Sequence, residues 1–224
     1  WNEAHDVLGA FTNASAGNTG SLGIAQLAGE RITVQYEEPA GLNTSATLRI
    51  TQVTHGYRDF GIDRGLGDSG SCNNNTFCPE GDPWRDQIAS VGMILVNGNF
   101  RCTGQLINNC ANDGTPYFLT ANHCLNGQNP ANWVFRFNWE SPTCDPTASG
   151  PMDNTVSGAT LLESDPASDV ALLLLNTAPP ASYNVWYTGW DATGETPTLT
   201  TVIHHPSGDV KKISWRRAPG PVRR

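Results

Sequence analysis

Short runs of β-branched and aromatic residues alternate along the chain with clusters of Gly, Asn, Asp and Pro. Residues 31–36, 47–53, 89–96, 101–107, 117–120, 133–139, 170–175 and 199–204 stand out in this way. Runs of such length between turn-forming residues predict strands, and no long segment carries the apolar period of a helix. The expected class is therefore all-β, a sandwich or a barrel. Within residues 133–139 the odd positions Trp133, Phe135, Phe137 and Trp139 are all aromatic, whereas Val134, Arg136 and Asn138 are mixed. That alternation predicts a half-buried strand with its rings in the core. A second reading is a non-catalytic carbohydrate- or protein-binding β module, which would require Trp133, Trp139, Trp186 or Trp190 to form one exposed row. The longest apolar run, 170–175, has the length of a buried strand and is too short to cross a bilayer.

Residues 58–86 are dense in Gly, Asp and Asn and hold the first two cysteines, while residues 1–57 have none. A boundary is expected near residues 64–67, separating an N-terminal β unit (1–66) from a larger domain (67–214). The chain is 38% apolar and 15% charged, a globular composition. Residues 1–210 carry a net charge of −14, and six of the 13 cationic side chains fall in residues 211–224. Such an acidic body argues against nucleic acid or an anionic membrane as partner. The chain opens on Trp1 with no apolar signal core, as a processed protein or a piece of one would.

The six cysteines, Cys72, Cys78, Cys102, Cys110, Cys124 and Cys144, read as an extracellular disulfide framework. No Cys-x-x-Cys, His-x-x-x-His or His-Glu-x-x-His spacing is present, so no metal site is expected.

Two segments carry candidate chemistry. In Tyr117-Phe118-Leu119-Thr120-Ala121-Asn122-His123-Cys124 an apolar strand ends on a histidine beside a cysteine that a neighbouring strand can anchor. In Ser168-Asp169-Val170-Ala171-Leu172-Leu173-Leu174-Leu175 an aspartate stands at the mouth of an apolar strand, where it would be partly desolvated and in need of a partner. Acyl transfer to a hydroxyl needs such a base and such an orienting group. The competing readings are a partly buried strand-end histidine and a solvated turn aspartate.

The order His before Asp, with Gly67-Asp68-Ser69-Gly70-Ser71-Cys72, Cys78-Pro79-Glu80-Gly81-Asp82, Cys102-Thr103-Gly104, Leu119 to Cys124 and Ile203-His204-His205-Pro206, resembles bacterial lysyl endopeptidase and its secreted relatives across residues 67–214. The resemblance implies a secreted serine endopeptidase with a chymotrypsin-like double β-barrel, the first barrel complete and the second only begun, preceded by a small β-rich pro-region at 1–66. It implies His123 as general base, Asp169 as orienting carboxylate, disulfides Cys102–Cys124 and Cys78–Cys144, no metal or organic cofactor, and a monomer acting on a polypeptide substrate. Cys72 would pair beyond the chain's end. Cys110 has no counterpart and either pairs with Cys72 or stays free.

Gly67-Asp68-Ser69-Gly70 spells a nucleophile tetrapeptide, yet it precedes both His123 and Asp169, where the family has its mature start, so Ser69 is not taken as nucleophile. The serine is expected past residue 224, leaving this chain inactive by itself. Residues 215–224, a basic Pro/Arg tail, fit neither the preceding composition nor the family and suggest a shifted reading frame, with a natural tail as the other reading. Preference for Lys, Arg or another residue at the cleaved bond is not readable.

Overall fold

The computed structural model describes residues 1–2, 6–38, 40–41, 47–54, 66–96 and 99–217. The expected boundary at 64–67 lies partly outside them, as do residues 218–224 of the tail. The dominant element is an antiparallel sheet of β2 (Val91–Val96), β3 (Asn99–Ile107), β4 (Tyr117–Thr120), β5 (Val134–Phe137), β6 (Thr155–Ser157), β7 (Ala159–Asp165) and β8 (Val170–Leu175), in spatial order β6-β5-β2-β3-β4-β8-β7. Only Gly158 separates the two marginal strands, so one continuous segment pairs with β5 at its start and with β8 at its end, curling the sheet onto itself.

Gly158 makes that switch possible. Its φ is +77°, and a Cβ there would lie 2.3 Å from Asn176 Nδ2 and 2.8 Å from the Ala131 carbonyl oxygen. Register breaks at Ile94/Leu95 and Leu161/Glu163 add the local bends that a curled sheet needs.

The enclosed core contains Ile94, Leu106, Phe118, Phe135, Phe137 and Leu173, none of them exposed. Phe118 meets Phe135 edge-on with centroids 4.9 Å apart and Phe137 at 6.2 Å. Each of these buried side chains contributes about 1.5–3 kcal/mol through removal from water.

Strand β5 departs from the half-buried expectation. Trp133, Phe135 and Phe137 point into the core as predicted, but Val134 and Arg136 are buried too. A second cluster of Met93, Leu95, Val134, Trp139 and Val210 covers that other face, and Ala25 from the N-terminal region belongs to it.

A separate antiparallel sheet, β1 (Asn74–Asn75), β10 (Lys212–Arg217) and β9 (Leu199–His204), has order β1-β10-β9. β10 continues through Trp215, opposite Thr201, into the segment read from sequence as a foreign tail. Helix α1 (Arg85–Ser90) takes up the first two residues of the strand expected at 89–96, so β2 starts at Val91.

The N-terminal region is not the β-rich unit that its alternating runs suggest. Among the described residues of 1–66 there is 3-10 structure at Asn13–Thr19 and a single bridge, Asn2 to Ile32, with no strand at 31–36 or 47–53. The apolar residues of those runs, Ile32, Val34, Leu48, Ile50 and Val53, are exposed. Alternation selects a face, but a strand exists only when a neighbour supplies the ladder. No helix among the described residues is long and apolar enough to cross a membrane.

Candidate active site

Strand β4 ends at Thr120, whose Oγ1 donates to the Thr103 carbonyl at 2.9 Å, and the chain then makes one 3-10 turn over Asn122–Cys124. Cys124 is bridged to Cys102 of β3, which ties the turn to the adjacent strand. Closing a loop across 22 positions adds about 3 kcal/mol to stability, and the 66 positions spanned by Cys78–Cys144 add about 4. Cys72 and Cys110 are exposed and unbridged.

The β4–β8 register sets Thr120 opposite Ala171, so the residue just ahead of β8, Asp169, arrives beside the turn despite 46 positions of separation. The Asn122 N–H donates to the Asp169 carbonyl at 3.1 Å. Asp169 adopts φ +54°, a left-handed conformation that Asp tolerates better than most residues. In that pose its carboxylate accepts the His123 backbone N–H at Oδ1 (2.8 Å) and faces Nδ1 of the ring at Oδ2 (2.7 Å).

Gripping backbone and ring together fixes the imidazole rotation and places a proton on Nδ1, leaving Nε2 as the basic nitrogen. The His123 side-chain bond, then its backbone N–H, hold the Asp169 carboxyl below the usual carboxylate range. Asp169 has the imidazole partner expected of it but not the desolvation, since the side chains are 70% (His123) and 50% (Asp169) exposed. Hydrogen bonding rather than desolvation defines the pair.

Beside His123 the surface forms an open hollow lined by Asn122, His123, Asn126, Gln128 and Leu161. Leu161, on a strand without clear alternation, had no sequence signal. Among the described residues the contact seen at Nε2 is with Cys102 Sγ at 4.0 Å, not with a hydroxyl. Ser69 is tethered elsewhere, its N–H donating to Asp209 Oδ2 at 3.4 Å. The donor atoms of Cys102, His123 and Cys124 lie within 4.8 Å of one another, but both sulfurs are spent in the disulfide. The tryptophan row does not exist, because Trp133 and Trp139 are buried while Trp186 and Trp190 are exposed.

Residues 66–222 match the family model of the lysyl endopeptidase C-terminal domain. The chain belongs to the lysyl endopeptidase family. Within it, lysyl endopeptidase of Pseudomonas aeruginosa is 32% identical over 208 residues, which span 83% of this chain and 44% of that protein. The chain therefore spans less than half the length of that relative. Among solved structures, human heparin binding protein aligns over 58% of this chain and 60% of its own with 16% identity and a TM-score of 0.40. A doubly substituted mutant of that human protein aligns over 62% and 65% with 18% identity and a TM-score of 0.40.

Proposed function

We propose that the protein of which these residues are part is a secreted serine endopeptidase in which His123 acts as general base and Asp169 orients it. The observation that carries this reading is the 2.7 Å Nδ1–Oδ2 contact within a family of endopeptidases. In that role Nε2 takes the hydroxyl proton as the serine attacks the peptide carbonyl and returns it to the leaving amine. Asp169 stays ionised and stabilises the imidazolium. The serine, and the backbone donors that would stabilise the oxyanion, are proposed to come from chain outside these 224 residues, with residues 1–66 as a pro-region and the mature enzyme starting near Gly67. Two disulfides support an oxidising, extracellular setting.

The test compares the longer protein with residues 1–224 on peptide substrates and on a fluorophosphonate probe. The longer protein should cleave and label, and His123→Ala should lower kcat by on the order of 10⁶. Residues 1–224 should do neither. Labelling of Ser69 in the short chain, abolished by His123→Ala, would overturn the assignment of the nucleophile.

A further inference from the structure

The alternation of β5 predicts one face turned to water, and part of the cover on that face comes from the N-terminal region, chiefly from residues 17–26. Contact is made at four points within ten residues. At Gly17 (φ +54°) a Cβ would lie 2.6 Å from Asn176 Nδ2, and at Gly23 one would lie 2.2 Å from the Asn132 carbonyl oxygen. Ala25 is buried in the cluster of Met93, Leu95, Val134, Trp139 and Val210. Gln26 Oε1 accepts from Arg136 Nη2 at 3.3 Å.

Arg136 makes the fit specific. Its side chain rises from β5 into an apolar surround, lies 5.8 Å over the Trp139 ring, and is 3% exposed. A buried guanidinium needs acceptors, and Gln26 supplies one. Glycine at 23 lets backbone meet the Asn132 backbone, glycine at 17 leaves room for the Asn176 side chain, and Ala25 is buried at the apolar point. By contrast, the apolar residues at 32, 34, 48, 50 and 53 are exposed, so the contact does not extend to them, while Leu8 and Leu66 join residues 17–26 at the apolar cluster.

We propose that residues 17–26 are a built-in peptide ligand of the barrel, and that the surface formed by Asn132, Arg136, Asn176 and the Met93–Val134–Trp139 face is a binding site for a peptide bearing Gly, Ala and Gln at this spacing. The contact holds the N-terminal region on the barrel without help from the covalent link, so cutting the chain between the two leaves a non-covalent complex. The inference needs neither the catalytic assignment nor the origin of the serine.

The experiment uses the full 224-residue chain with a specific protease site substituted into positions 57–62, cut after folding. The two fragments should co-elute on size exclusion, and an excess of a synthetic peptide of residues 15–28 should displace the N-terminal fragment. Gly23→Val, a change on the ligand side that leaves the barrel sequence intact, should make the fragments separate. The same change in the labelled peptide should weaken its binding to the cut chain at least about tenfold. Arg136→Met should do so as well. Wild-type fragments that part on cutting would overturn the proposal, as would a Gly23→Val peptide that binds as tightly as the parent.

Discussion

His123 and His205 each sit beside an aspartate, and the two pairs differ in which part of the aspartate they use and in how much water reaches them. His123 is exposed and meets a carboxylate oxygen of Asp169. His205 is fully buried, stacks on Trp139 with centroids 5.9 Å apart, and its Nδ1–H donates to the backbone carbonyl of Asp209 at 3.0 Å. Burial first, and the nearby Lys211 ammonium next, pull its pKa down to about 3, so it stays neutral throughout the ordinary range. The Asp209 carboxylate is directed elsewhere, accepting the N–H groups of Gly67 (3.0 Å) and Val210 (2.7 Å) and facing Lys212 Nζ at 3.3 Å. One histidine is kept accessible and oriented, as proton transfer requires, and the other is locked into the packing between β9, β10 and the barrel.

Removing each carboxylate separates the two roles most sharply. Asp209→Asn leaves the buried Lys212 ammonium without its counter-charge and should cost about 3 kcal/mol or more in urea unfolding, whereas Asp169→Asn should leave the unfolding midpoint close to that of the parent. A similar loss in both would erase the distinction.

Acid titration gives the next largest effect. A neutral histidine with a depressed folded pKa supports the fold above its unfolded value of about 6.5 and loses that contribution as pH falls towards the folded value. Between about pH 6.5 and pH 4 the His205 share of the loss is about 3 kcal/mol. His205→Gln should flatten this limb of the stability curve.

A smaller effect tests the sheet that brings His123 to Asp169. Gly158→Ala places a Cβ against Asn176 and the Ala131 carbonyl at a left-handed φ and should cost about 2 kcal/mol, read as a lower thermal midpoint. An unchanged midpoint would mean that the curl does not depend on this residue.

The site was legible in sequence to the extent that its signals are local. The run ending in Asn122-His123-Cys124 and the aspartate ahead of an apolar run both lie where strand ends were expected, and β4, β8 and β9 occupy the predicted ranges. What could not be read depends on distant partners. β7 (Ala159–Asp165) has an exposed, non-alternating pattern and is a strand because β8 offers it a ladder. β10 begins at the second of two lysines, charges that ordinarily mark surface, yet Lys211 and Lys212 are buried because Ile88 O and Asn75 Oδ1 receive their ammonium groups. Residues 31–36 and 47–53 have the alternation, but among the described residues they gain no ladder beyond the Asn2–Ile32 bridge. His204-His205 is as conspicuous in sequence as His123, and only burial shows that His205 serves the packing.

The most direct test of the central claim is the steady-state kinetics of the longer protein carrying Asp169→Asn, with KM and kcat resolved. If Asp169 holds His123 in its working tautomer, kcat should fall by on the order of 10⁴ while KM changes only a few-fold and the fold stays intact. A kcat within about tenfold of the parent would show that the 2.7 Å pair is not the catalytic base and its orienting group.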